Sequence, residues 1–188
     1  MRNFLLLFSF IIFVPFFGQD FKADIEKQFK DYNSLIASQQ YEKALDLYGN
    51  EDFLKIFPLK DLAAMMNQTL NDPEIDLHLI APTNIIISDA IVDGKEKKFV
   101  QLTFHQKLEM KFNEEGLDEK NLLSVFQGTF GKDHVKYDGK TNFFLIETYK
   151  TAVASSKDLK NWKFTVLERN QIPLLRSFIP EQFLIDLK

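Results

Sequence analysis

The chain has no cysteine. Disulfides, thiol catalysis, thiolate metal sites and a lipid-modified N-terminal cysteine are therefore excluded, and the fold has to be held by its core alone. There are seven glycines among 188 residues, with neither a Gly-x-Ser-x-Gly elbow nor a glycine-rich phosphate loop among them. Histidine is also scarce. His78, His105 and His134 lie far apart, and none has a second histidine two to four residues away, the spacing a zinc site commonly shows. No metal and no cofactor is expected. Positive charge is in deficit, with 23 Lys and Arg against 27 Asp and Glu, and the two signs are interspersed without a basic block. Binding to nucleic acid or to an anionic membrane surface has little electrostatic support in such a chain. Long apolar runs are absent everywhere except at the N terminus.

That one run is informative. Met1-Arg2-Asn3 supplies a positive charge, Phe4 to Phe17 is apolar except for Ser9 and Pro15, and Gly18-Gln19 precede the charged, helix-patterned stretch that Asp20 opens. A basic start, a short apolar run and a small residue near its end describe a secretion signal. The run is shorter than the roughly 20 residues that span a bilayer as a helix. The ending Phe17-Gly18-Gln19 resembles signals of some Gram-negative bacteria, in which a Gln often precedes the cut. The expectation is a signal over residues 1–19 and a single exported domain over residues 20–188, periplasmic or secreted and without a transmembrane segment. An uncleaved anchor or a buried N-terminal helix is the alternative. Loss of Arg2 takes the net charge from −4 to near −5.

The rest of the chain changes period twice. Phe21, Ile25, Phe29, Tyr32 and Ile36 recur at helical spacing and predict an amphipathic helix over about 20–38. Tyr41, Ala44, Leu45 and Tyr48 predict a second helix ended by Gly49-Asn50, and Leu59 to Leu70 a third, begun at Pro58 and stopped by Asn71-Asp72-Pro73. From Ile75 the chain is rich in β-branched residues, and Pro82 suggests two strands, 75–80 and 84–92. Asp93-Gly94 marks a hairpin. Phe99 to Phe112 then alternates, with Val100, Leu102, Phe104, Leu108, Met110 and Phe112 on one face and polar residues on the other, so one buried and one wet face are predicted. Asp118 is a candidate N-cap for a helix closed by Gly128 and Gly131. Strands over 134–137, 142–154 and 162–168 follow, the first two joined by Asp138-Gly139. The tail carries Leu174, Leu175 and Phe178, then Pro180 before a last turn with Phe183, Leu184 and Leu187.

Helices followed by long antiparallel strands predict an α+β fold, with N-terminal helices packed on the concave face of a curved antiparallel sheet, an inserted helix and a short C-terminal helix. In element order, over about residues 20–170, the chain resembles the NTF2-like (SnoaL-like) superfamily of cone-shaped domains. Trp162-Lys163-Phe164 near the end and Pro180-Glu181 after it are similar to small exported bacterial proteins of this kind. The helix at 118–127 and the tail from Ile172 depart from the minimal pattern. A half-barrel of the lipoprotein-carrier kind is the alternative fold.

The resemblance implies a pocket between helices and sheet. Two places break the local pattern and could line it: Gln106 interrupts the apolar face between Phe104 and Leu108, and Glu147 and Tyr149 share a face with Phe143, Leu145 and Val153. A polar group on an apolar face needs a partner or a wet cavity. The bland alternative for these residues is a satisfied structural network or a strand edge reaching water. In the pocket reading Gln106, Glu147, Tyr149, Trp162 and Tyr48 bind the ligand, with Tyr48 and Trp162 as apolar walls. Burial would then disfavour the ionised form of Glu147, which could serve as a proton donor or simply as a hydrogen-bond anchor for a ligand. His105 reads as a solvated surface residue. Trp162, Phe164 and Val166 are expected to pack near Phe29 and Tyr32. The leading expectation is a non-enzymatic domain that binds a small hydrophobic ligand or an envelope protein. The alternatives are an enzyme using a Tyr/carboxylate acid–base pair and an envelope structural or interaction protein, with homodimerisation through the outer sheet face also open.

Overall fold

The structure is a computed structural model and describes residues 21–114 and 116–187. The signal read from residues 1–19 lies outside the described residues.

Four helices lead the chain. They are α1 (Phe21–Ala37), α2 (Tyr41–Tyr48), α3 (Glu51–Ile56) and α4 (Leu59–Leu70). Gly49 ends α2 with φ −68, not in the left-handed conformation common after helices. Glycine is required there for another reason: a Cβ would lie 2.5 Å from the Leu45 carbonyl oxygen. Asn50 then caps α3, its side-chain oxygen accepting from the N–H groups of Asp52 and Phe53.

The strands are β1 (Ile75–Asp93), β2 (Lys98–Phe112), β3 (Val135–Asp138), β4 (Phe143–Ser156) and β5 (Lys163–Val166), with α5 (Glu119–Phe130) inserted after β2. All pair antiparallel in one open, curved sheet of order β1-β2-β4-β3, with β5 on β4. β3 and β5 share the same edge of β4, meeting Phe143–Ile146 and Ala152–Ser155 respectively. The two strands expected on either side of Pro82 are a single strand. β1 absorbs the proline through register shifts between Ile80 and Thr83 and again beyond Thr83. Because β1 is an edge strand, the missing N–H of Pro82 breaks no ladder.

The helix-side face is packed as the alternation predicts. Val100, Leu102 and Phe104 of β2, Ala152 and Ala154 of β4, and Trp162 and Phe164 form one buried cluster with Ile25 and Phe29 of α1. Phe29 meets Phe104 at 4.9 Å and Phe164 at 5.1 Å between ring centroids, both edge-on. A second cluster joins Ile36, Tyr41, Ala44, Leu45 and Ala63 beneath α2 and α4 and reaches Leu79 on β1. At the far end of the strands α5 lays Phe126 on Phe144 at 5.2 Å and Phe112 at 6.2 Å. Asp118 caps α5 through the N–H groups of Lys120 and Asn121. The helix runs through Gly128 and closes at Gly131, whose φ of +98 explains the glycine.

The opposite face is not uniformly wet. A short helix α6 (Ile172–Leu175) and the turns after it fold back so that Leu175, Ile179, Phe183 and Leu184 bury Phe99, Val153 and Leu167. The outer face is thus covered where β5 pairs and left open beyond it.

Candidate functional site

The five residues expected to share a pocket fall in three places. Trp162 is 1% exposed, and its backbone N–H donates to Gln28 Oε1 at 2.9 Å. Gln28 in turn donates from Nε2 to the Lys160 carbonyl at 2.7 Å, so one α1 side chain clamps the turn before β5. Tyr48 is half-buried, its ring 6.3 Å from those of Tyr32 and Phe164. Burial, followed by the charge of Asp31, raises its hydroxyl pKa. Both aromatics belong to or pack on the cluster beneath α1, and neighbouring rings occupy the space they were expected to wall.

Gln106 lies on the helix side of β2, in register with Thr148. Its Nε2 donates to the Ile80 carbonyl at 2.8 Å and the Lys107 carbonyl at 3.1 Å. Ile80 is where β1 slips register. The amide therefore satisfies a carbonyl at the irregularity, which is reason enough for a polar residue at this position.

Glu147 and Tyr149 do share a face, but it is the outer one, opposite the helices, and Gln106 does not converge with them. The register sets Thr83, His105 and Tyr149 in one row across β1, β2 and β4, Ile80, Lys107 and Glu147 in the next, and His78, Glu109 and Leu145 in the third. His105 Nδ1 stands 3.3 Å from Glu147 Oε1, and Lys107 Nζ stands 3.7 Å from the same oxygen. The rings of His105 and Tyr149 meet edge-on at 3.9 Å. Tyr149 itself is 67% exposed. His78 Nδ1 is 3.6 Å from Glu109 Oε2, and its ring stacks on Phe143 at 5.3 Å. A recess of about 340 Å³ opens beside these rows, lined by Ile80, Lys107, Glu109, His134, Lys136, Leu145 and Glu147 among others.

The electrostatics reverse the expectation for Glu147. The hydrogen bond with His105 lowers its pKa, burial opposes this by less, and the charge of Lys107 adds to the lowering. At neutral pH it is an ionised acceptor, so it does not hold the proton a general acid would donate. Proton NMR of the Glu147 side chain should show a titration midpoint below the ordinary glutamate range. In His105→Ala it should rise toward that range. A folded pKa below the unfolded one stabilises above the ordinary carboxylate range, and that contribution is lost as pH falls through the folded value. An unmoved midpoint in His105→Ala would rule out the pairing.

Sequence reasoning placed His105 on the wet face but missed its partners. Only the β2–β4 register shows that residues 105 and 149, and 107 and 147, stand opposite one another. Among the described residues no cluster of His, Asp and Glu could hold a metal ion, and no helix is long and apolar enough to cross a membrane.

No protein family matches the chain, and no curated protein does. Among solved structures, it is similar to the intermembrane space region of the chloroplast protein ARC6, at 14% identity and a TM-score of 0.43, over 78% of this chain and 92% of that one.

Proposed function

We propose that the chain is a non-catalytic, exported binding domain on the NTF2-like plan, and that it docks a protein of the cell envelope on the open part of its outer sheet face. One contrast carries this reading. The helix-side face is filled by rings, with Phe29, Phe104 and Trp162 each 2% exposed or less, while the outer face beyond the tail leaves Ile86 66%, Tyr149 67%, Ile80 38% and Leu145 37% exposed. Apolar groups set among oppositely charged pairs on an open sheet face suit protein recognition, with aromatics as anchors and charges fixing the register. A small hydrophobic ligand under the helices has less support, because side chains already fill that space. The Tyr/carboxylate acid–base reading has less support, because Glu147 and Tyr149 lie on the outer face and not in a pocket under the helices.

The test is site-specific photo-crosslinking in intact cells. A photoreactive residue replacing Tyr149 should give a discrete protein adduct that Leu145→Asp on the same face abolishes. The same residue replacing Met65, which is 51% exposed on α4, should give none. An adduct with a second copy of the chain would make the partner the chain itself. Equal labelling from both positions, or none from Tyr149, would end the proposal.

A further inference from the structure

A second site lies away from the outer-face rows, where α3, the β1–β2 turn and the C-terminal tail meet. A cleft of about 590 Å³ there has Ile56, Phe99, Phe178 and Ile179 among its lining residues. Beside it is a polar chamber of about 140 Å³ lined by Ser155, Ser156, Asn161 and Lys163, and the two share Glu51, Lys97 and Lys157 as a common wall. Both volumes together fall within the usual range of small-molecule sites, and the cleft sets its apolar walls against charged side chains, Lys95, Glu96 and Arg176 among them.

The charges along this wall do not balance. Lys97, with a side chain only 10% exposed, places Nζ 2.8 Å from Asp52 Oδ2 and 3.0 Å from Glu51 Oε2. Lys55 takes the other Asp52 oxygen at 2.7 Å, and Lys157 approaches Glu51 Oε2 at 3.6 Å. Three ammonium groups thus share two carboxylates. Lys163 adds a fourth, close enough for its charge to act on Glu51, and its Nζ donates to the neutral carbonyls of Leu47 at 2.7 Å and Asp46 at 3.3 Å. Asp158, the remaining carboxylate of the chamber, is turned onto its own loop. It accepts from the N–H groups of Asn161 at 2.8 Å and Lys160 at 2.9 Å, the Asn161 amide at 2.7 Å and the Ser156 hydroxyl at 3.0 Å. Ser155 is 1% exposed, and its Oγ accepts from Asn50 Nδ2 at 3.3 Å, which leaves its own O–H to donate. On a chain of net charge −4, the residues lining the two spaces include six cationic side chains against four carboxylates, beside the apolar walls of the cleft and a buried hydroxyl donor.

We infer that this corner binds a small amphipathic ligand with an oxyanion head, a carboxylate or a phosphate. The head sits in the chamber between Lys157 and Lys163, and the apolar body lies in the larger cleft against Phe99 and Phe178. Two ammonium groups without a full carboxylate partner supply the charge, and the shape of the cleft selects a ligand with a hydrophobic body over a bare ion.

Calorimetric titration of the purified protein with octanoate, octyl phosphate, octanol and inorganic phosphate tests this, with amide NMR shifts at Ser155–Lys157 locating the site. At least one of octanoate and octyl phosphate should bind, weakening as salt rises, and about tenfold or more tighter than both octanol and phosphate. Whichever amphiphile wins identifies the head group. Lys157→Glu, at a position whose side chain is 58% exposed and therefore tolerant, should weaken binding by about tenfold or more while circular dichroism stays native. Tyr149→Ala, on the outer face, should leave it unchanged, which keeps this result separate from the docking proposal. Phosphate binding as tightly as octyl phosphate would mean an adventitious ion only. Octanol matching octanoate, an unaffected Lys157→Glu variant, or no binding by either amphiphile would overturn the inference.

Discussion

Trp162→Ala should destabilise the domain by about 3–5 kcal/mol, the range for large aromatic truncations in a closed core. The side chain is 1% exposed, lies 6.4 Å from Phe21 between ring centroids, and belongs to the cluster that includes Ile25, Phe29, Val100 and Phe164. That cluster is where α1 is attached to the sheet, so the cavity cannot collapse without moving the helix. With a urea slope of about 2 kcal/mol/M, the unfolding midpoint should fall by about 1.5–2.5 M. Trp162→Phe should cost much less. It keeps most of the apolar body and removes an indole N–H that has no hydrogen-bond partner among the described residues, itself a penalty of about 1–3 kcal/mol. Equilibrium unfolding of both variants decides the matter, and a Trp162→Ala loss below about 1 kcal/mol would mean the ring is not a core element.

Much of this core could be read before any coordinates. Helical spacing at Phe21, Ile25 and Phe29 and strict alternation over Val100, Leu102 and Phe104 each fix a buried face locally. Both faces have to be covered, and they cover each other. The alternation of Trp162, Phe164 and Val166 placed those residues opposite Phe29 and Tyr32 for the same reason, and Phe164 is 6.1 Å from Tyr32 between centroids. What local periodicity does not encode is register and sidedness. Glu147 and Tyr149 share their parity on β4 with the apolar Phe143, Leu145 and Val153, which suggested an inward face. Whether that parity points to the helices depends on which residue of β2 stands opposite, and the register puts them with Lys107 and His105. Gln106 has the inward parity, yet its role is set by a slip in β1 that no pattern in β2 records. Pro82 misled for a related reason. A proline ends a central strand, but on an edge strand the chain bulges past it and continues to Asp93. The candidate site was therefore only partly legible: Glu147 and Tyr149 share one face of β4 as the alternation predicts, but that face is the outer one. The partners in the α3 corner, Lys97 and Lys157, are far from Glu51 and Asp52 in sequence, 45 residues for Lys97–Asp52 and more for Lys157–Glu51, and gave no local signal at all.

Ending the chain after Gln171 should have the largest effect of any change considered. The sequence marks the tail only as a scatter of apolar residues, but in the fold it covers the outer sheet face at Phe99 and Val153. Leu175, Ile179, Phe183 and Leu184 are 0%, 3%, 7% and 0% exposed. Burying such side chains contributes about 1.5–3 kcal/mol each, so the four together stabilise by roughly 6–12 kcal/mol before the entropy of ordering the tail is subtracted. Domains of this kind are stable by only about 5–15 kcal/mol in total. Truncation also leaves Phe99, Val153 and Leu167 facing water on one continuous patch. The truncated chain should lose cooperative unfolding, bind a hydrophobic dye and aggregate. Leu184→Ala in the full chain should cost about 2–5 kcal/mol, a graded version of the same loss. The polar contacts of the tail are expected to matter little by comparison. Arg176 and Glu181 form an exposed pair at 3.1 Å, and Arg169 Nε donates to the Leu187 carbonyl at 2.6 Å on the surface. Exposed pairs of this kind contribute at most about 1 kcal/mol, so Arg176→Ala should unfold within about 0.5 M urea of the parent chain. A truncated chain that still unfolds cooperatively near the parent midpoint would show that the sheet does not need its second cover. If Arg176→Ala proved as damaging as Leu184→Ala, the tail would be held by charge rather than by burial.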